Sequence, residues 1–323
     1  MSKRYKNEIP TNNDFSVNSV LTLVRDYMKI KNDLRPKSHI PFMPSTTKVH
    51  DNKQSSKAIW FGHSAVLLEI EGKKVLFDPM FGPSSSPFPI FTSKRYSGPF
   101  SMEHEALQEI DAIFISHNHY DHLDYSSILK LKDRTKYFFV PKGVKRYLLK
   151  WGVAPEKISE YSWWDEFEWN GLTIACTPAR HFSGRGLFDR DCSLWCSWVV
   201  LGKNTKVYFS GDSGYAPHFK EIGEKYGPFD LTFMECGQYN DRWSSIHMIP
   251  EETVQAHIDV KGNILVPIHW GTFTLSLHEW SDPIHRVTSE AKKHGVSIAT
   301  PRLGETIIIG STNIPQTTWW NEQ

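Results

Sequence analysis

The sequence predicts an α/β (α+β) protein built from two β-sheets with helices covering them on the outside. Short β-rich runs dominate from Ala58 onward, and helix–strand units replace them later in the chain. That mixed order suits two packed sheets with outer helices. The 323 residues are 39% hydrophobic, enough to bury a sizeable core as one large domain or two small ones.

Residues 1–57 differ in texture from the rest. They are polar and punctuated by Pro10, Pro36, Pro41 and Pro44. One helical segment stands out, with Val17, Val20, Leu21, Val24 and Met28 at helical spacing and Asp14 or Ser16 available as a cap. Its apolar stripe is short and its polar face is not notably basic. A strap on the outside of the core fits this better than a dimer or membrane-surface contact.

From residue 58 the elements follow in order. Residues 58–61, 65–70 and 74–77 read as strands, with Glu71-Gly72 a tight turn between the last two. Residues 111–116 form an apolar run that ends in a histidine cluster. Residues 125–132 read as a helix, 136–140 as a strand and 142–151 as a helix. Strands follow at 172–177, 193–201 and 206–210. A helix at 217–226 leads to a strand at 231–235, and a helix at 251–260 to a strand at 264–268. A helix at 283–294 and a strand at 305–309 complete the chain.

The formal net charge of +1 argues against a general electrostatic grip on nucleic acid, which needs a strongly basic face. No run of about 18 apolar residues is present, as a transmembrane helix would require. The basic start Met1-Ser2-Lys3-Arg4-Tyr5-Lys6 lacks the apolar stretch of a secretory signal. A cytoplasmic protein is expected. Cys176, Cys192, Cys196 and Cys236 show no C-x-x-C pairing and read as reduced, mostly buried thiols.

The chemistry is concentrated in Ser116-His117-Asn118-His119-Tyr120-Asp121-His122, directly after an apolar strand. In extended backbone, His117 and His119 point the same way, since side chains repeat every two residues. Asp121 and His122 lie where the chain must turn into a helix. Three more candidates, His181, Asp212 and His269, each lie beyond the end of an expected strand. A sheet holds such positions rigidly, as a metal site requires. Seven ligands exceed the four of a tetrahedral zinc and suit two ions sharing one carboxylate. The smallest assignment puts His117, His119 and His181 on one ion, and Asp121, His122 and His269 on the other. Asp212 bridges, and a water between the ions loses a proton near neutral pH. Imidazole with carboxylate suits zinc, and also manganese or iron.

The His-x-His-x-Asp-His pattern with a distant His, Asp and His resembles the metallo-β-lactamase superfamily. The match is closer to N-acylphosphatidylethanolamine-hydrolysing phospholipase D and its bacterial relatives. It is carried by Trp60-Phe61-Gly62-His63, Phe77-Asp78-Pro79-Met80-Phe81 and the stretch Ile115 to Tyr125. It continues through Gly211-Asp212-Ser213-Gly214-Tyr215, Gly227-Pro228-Phe229-Asp230-Leu231 and Ile268-His269-Trp270-Gly271-Thr272-Phe273. The resemblance implies a four-layer αββα sandwich over residues 58–323, preceded by the extension 1–57 with its helix packed on the core. It implies a hydrolase with two divalent ions and the ligand set given above. The N-terminal segment and residues 83–96 match only loosely.

Two divalent ions offset by Asp121, Asp212 and a hydroxide leave about one net positive charge, which favours an anionic group such as a phosphodiester. The expected reaction is attack by a dinuclear-metal-bound hydroxide on phosphorus, in a phosphodiesterase of phospholipase D type acting on a small-molecule or lipid substrate. Such a protein has room for peripheral membrane contact. The runner-up is attack on a carbonyl carbon, in a lactonase or ester hydrolase related to L-ascorbate-6-phosphate lactonases. A di-iron redox protein is disfavoured because His119 stands where such relatives carry Glu.

Asp121, Asp212 and His247 are the candidate catalytic residues. His247 aligns with a pocket histidine of the phospholipase-like subgroup and reads as a substrate contact, a proton donor or an outer support. Tyr120, Phe188, Arg242 and Trp243 are candidate substrate contacts; Phe188 and Trp243 are the aromatics placed to line an acyl pocket. Arg185 and Arg190 join Arg242 as phosphate-binding or plain surface arginines. His63 reads as a buried hydrogen-bonded support, and Asp78 as a brace for a metal-binding histidine or for the Asp78-Pro79 turn.

Overall fold

A computed structural model describes residues 3–11, 17–29, 33–43, 55–86, 94–98, 100, 104–186 and 188–323. The first sheet contains β1 (Lys57–Trp60), β2 (Val66–Ile70), β3 (Lys73–Phe77), β4 (Ile110–Phe114), β5 (Thr135–Pro141), β6 (Ile158–Tyr161) and β14 (Thr306–Ile308). Its order is β14-β1-β2-β3-β4-β5-β6. The second contains β7 (Glu166–Trp169), β8 (Leu172–Thr177), β9 (Ser197–Leu201), β10 (Lys206–Phe209), β11 (Phe229–Glu235), β12 (Gly262–Ile268) and β13 (Ser297–Ile298). Its order runs β13-β12-β11-β10-β9-β8-β7. Both sheets are mixed, antiparallel on the hairpin side and parallel where helices intervene.

Alternation along the strands explains the layering. Ala58, Trp60, Val66, Leu68, Val75, Phe77, Ala112 and Phe114 point into a core shared with the second sheet. Their neighbours Ile59, Leu67, Leu76 and Ile113 point the other way. There they meet Ile128 and Leu131 of α2 (Tyr125–Leu131) and Leu148 of α3 (Lys145–Lys150). Both faces of these strands are buried, so they read as nearly continuous apolar runs. On the second sheet, α5 (Pro250–Asp259) contacts β11 and β12 and lies between α4 (His218–Lys225) and α6 (Asp282–His294). The result is the αββα sandwich expected.

Differences from the expected elements have local causes. The strand expected over 193–201 begins at Ser197, because Leu194 and Cys196 donate instead to the carbonyls of Lys142 and Ser116 in the loops above the sheets. The helix expected from 142 begins at Lys145, because Gly143 sits at φ 89° with Cys192 O only 2.8 Å from where a Cβ would stand. Strands β6, β7 and β13 were not expected. They hold four, four and two residues, and each lies at a sheet edge or directs few side chains inward.

In the N-terminal region, α1 (Val17–Lys29) is present. The side chains of Val17, Val20, Leu21 and Val24, and the residues Asp14 and Ser16, lie outside the described residues; Met28 is 74% exposed. Asp26 of this helix pairs with Arg242. Residues 33–43 attach to the core through Ile40, which is buried, and through Met43 N–H donating to Leu303 O at 2.7 Å.

Candidate metal centre

Strand ends and the loops leaving one edge of the two sheets carry the polar groups of interest. His63 follows β1, Asp78 follows β3, and the 116–122 segment follows β4. His181 follows β8, Asp212 follows β10, Glu235 ends β11 and His269 follows β12. Two of these loops are bolted together by aromatic packing. Trp60 and Trp270 stack with centroids 5.5 Å apart, and Trp319 stacks on Trp270 at 5.2 Å. His63 O accepts from both Trp60 Nε1 (2.8 Å) and His269 N (2.9 Å). His63 and His269 are held at φ 51° and 65°, the left-handed region that a histidine adopts only when its surroundings dictate it.

The seven residues expected to converge do so. His119 Nδ1 lies 2.8 Å from His117 Nε2 and 3.1 Å from His181 Nε2, forming one group of three. Asp121 Oδ2 lies 3.5 Å from His122 Nε2 and 3.4 Å from His269 Nε2, forming a second. Asp212 Oδ2 stands between them, 3.1 Å from His122 Nε2, 3.2 Å from His269 Nε2 and 3.8 Å from both His117 Nε2 and His181 Nε2.

These atoms fit a pair of cations better than they fit one another. His122 Nε2, His269 Nε2 and Asp212 Oδ1 are buried and make no aligned hydrogen bond. Unsatisfied buried polar atoms are rare and call for an explanation. Burial and the neighbouring imidazoles hold His117 and His181 well below the ordinary histidine range, and burial brings His119 down to about 4. All three are neutral at pH 7, the form that binds metal. For His269, burial is outweighed by Asp212 and Asp121, which push it up to about 10; the same carboxylates push His122 well above its usual value. A cation entering there displaces protons.

An outer layer fixes the rings. Asp78, fully buried, accepts from His122 Nδ1 at 2.8 Å and from Ser116 N and Oγ at 2.7 and 2.5 Å. Ile246 O accepts from His181 Nδ1 at 3.0 Å. His63 Nε2 sits 2.8 Å from Asp121 Oδ2, a supporting contact. Glu235 did not stand out in the sequence. It is fully buried, receives Ser213 N and Met248 N on Oε1, and holds His247 Nδ1 on Oε2 at 2.8 Å. Its only signal is a carboxylate at the end of an apolar strand, one residue before Cys236-Gly237. Asp78 and Glu235 place two further carboxyls beside the imidazoles, one layer outside the ligands. Burial pushes both carboxyls up, against the hydrogen bonds they receive.

The cage opens into a cleft of about 230 Å³. Phe182, Trp243, Ile246 and Leu275 give it an apolar wall, and Gln238 and His247 give it polar groups. Trp243 therefore lies where expected. Phe188 is 89% exposed and does not line the cleft; Phe182 occupies that role. Arg242 faces Asp26 and Asn240. Tyr120 donates its hydroxyl to Arg185 O at 2.7 Å. Arg185 stacks on the Tyr120 ring and donates to Asn118 O and Leu123 O at 2.8 and 2.7 Å. It is a clamp on the ligand loop, with its Nη1 committed to carbonyls. Arg190 lies over the Phe182 ring.

Comparison with known proteins agrees with this geometry. The family model for the beta-lactamase superfamily domain matches residues 73–270. An uncharacterized protein of Mycobacterium tuberculosis is 42% identical over 278 residues, which are 84% of this chain and 74% of that protein. The N-acyl-phosphatidylethanolamine-hydrolyzing phospholipase D 1 of Caenorhabditis elegans is 38% identical over 235 residues, 69% of this chain and 66% of its own length. A solved metallo hydrolase from Ignicoccus hospitalis superposes with a TM-score of 0.61 at 21% identity, covering 80% of this chain and 100% of its own, a likeness of fold.

Proposed function

This chain belongs to the metallo-β-lactamase superfamily of hydrolases, and on that premise we propose that it is a dinuclear metal-dependent phosphodiesterase of phospholipase D type. The observation that carries the metal reading is the meeting of seven ligand-type side chains around buried atoms that lack aligned hydrogen bonds. His117, His119 and His181 would hold one cation, Asp121, His122 and His269 the other, and Asp212 both. Nitrogen and oxygen donors of this kind suit zinc, with manganese or iron accommodated. When bound, such a pair brings the pKa of a shared water toward neutrality and screens charge on the reacting oxygens.

The chain's own residues do the rest. Asp78, Ile246 O and His63 orient the cage. His247, with Nδ1 committed to Glu235, has Nε2 left to face the cleft. There it contacts the substrate and gives a proton to the departing alkoxide. Phe182, Trp243, Ile246 and Leu275 offer an apolar wall for an acyl chain. The relative from C. elegans, named for hydrolysis of N-acylphosphatidylethanolamine, supports a lipid phosphodiester as substrate. No helix among the described residues is long and apolar enough to cross a membrane; peripheral contact would bring such a lipid to the cleft.

A panel comparing N-acylphosphatidylethanolamine, bis-p-nitrophenyl phosphate and simple lactones, run on the zinc-loaded protein, tests the reading. Turnover of the two phosphodiesters with little lactone hydrolysis is expected. Lactone turnover that dominates at equal concentration would replace it with the carboxylic-ester reading.

A further inference from the structure

Residues 3–11 lie against the loop that carries His181. Tyr5, Asn7 and Ile9 are half-buried, while Lys6, Glu8 and Pro10 are exposed, an alternation of period two. The segment is fixed on both sides of Asn7. Tyr5 N donates to Asp191 O at 2.8 Å, and Arg180 donates to Pro10 O at 3.0 Å and Thr11 Oγ1 at 3.2 Å.

Between these anchors one side-chain amide serves both main-chain groups of His181. Asn7 Nδ2 donates to His181 O at 2.9 Å, and Asn7 Oδ1 accepts from His181 N at 3.2 Å. Oδ1 also accepts from Trp195 Nε1 at 2.9 Å. Two N–H donors meet one end of the amide and a carbonyl meets the other, so its orientation is determined by its partners. His181 itself lies outside any strand or helix, with no ladder to hold it. Ile246 O sets the direction of its ring; Asn7 sets the position of the backbone from which the ring reaches toward His119.

We propose that Asn7 is a positioning residue for His181. The proposal rests on the reading of His181 as a metal ligand. Removing the amide lets the 178–184 loop relax and weakens the cation held by His117, His119 and His181, while the cation of Asp121, His122 and His269 keeps its support. Groups that orient metal ligands typically contribute about ten- to a hundredfold in affinity. Asn7 acts on the main chain, so the lower end applies.

The test is cobalt(II) titration of the metal-stripped full chain, read by its visible absorption, with thermal unfolding in parallel. Asn7→Ala, Asn7→Asp and Thr11→Ala are compared with wild type. Wild type is expected to bind two equivalents. Asn7→Ala should bind one of them about tenfold more weakly, with an altered spectrum for that equivalent alone. Asn7→Asp is nearly isosteric and keeps the acceptor but loses the donor to His181 O; it should weaken the same equivalent even if Asn7→Ala folds poorly. Thr11→Ala, which loosens the segment without touching His181, should titrate like wild type. Wild-type affinity and spectrum in both Asn7 variants, or the same loss in Thr11→Ala, would overturn the assignment. A wild-type chain that binds fewer than two equivalents would instead overturn the dinuclear reading beneath it, whatever the variants do.

Discussion

Replacing Asp212 with Asn is expected to lower turnover by at least about a thousandfold, the upper range for losing one group that stabilises developing charge, and to reduce bound metal from two ions to one or none. The reasoning is geometric. Among the described residues, Asp212 Oδ2 is the one carboxylate oxygen within 3.8 Å of ring nitrogens from both groups, and it stands 3.1 and 3.2 Å from the Nε2 atoms of His122 and His269. Asparagine keeps the shape but not the charge. It also turns one end of the group into a donor facing other potential donors in a buried site. Metal analysis and steady-state kinetics on the same preparation check both consequences. Two ions per chain together with near-normal turnover would remove Asp212 from its bridging place.

The second large effect belongs to His247. Substitution by Ala should reduce turnover of substrates with alkoxide leaving groups by about a hundred- to ten-thousandfold, the usual contribution of a positioned acid. A p-nitrophenolate departs without help, so bis-p-nitrophenyl phosphate should be cleaved at close to the wild-type rate. Metal content should stay at two. The prediction depends on Glu235, whose 2.8 Å contact with Nδ1 fixes the ring and leaves Nε2 toward the cleft. Equal losses on both leaving groups would make His247 a binding or packing residue.

The cage was legible in the sequence because its members advertise themselves. His117, His119, Asp121 and His122 are crowded into one segment, and His181, Asp212 and His269 each follow a run whose apolar character marks a strand. Strand ends on one edge of stacked sheets converge by topology, which brings His181, Asp212 and His269 to the clustered four. The layers were legible for a related reason: strands buried on both faces, such as Leu76-Phe77 and Ile113-Phe114, leave long apolar stretches.

The outer support was less visible. Glu235 is a lone carboxylate, and its importance comes from contacts with Ser213, His247 and Met248 that no local pattern encodes. Asn7 lies 174 positions from the residue it holds. Arg185 looked like a surface or phosphate-binding cation because charge is what a sequence displays. The fold spends its Nη1 on the carbonyls of Asn118 and Leu123 and its guanidinium face on Tyr120. Phe188 and Phe182 are equally apolar on paper, and only the path of the loop decides which one turns toward the cleft.

Anomalous diffraction from zinc-loaded crystals tests the central claim most directly. Two peaks about 3.5–4 Å apart are expected, one beside His117, His119 and His181, the other beside Asp121, His122 and His269, with Asp212 touching both. A single peak, or peaks away from these side chains, would contradict the account.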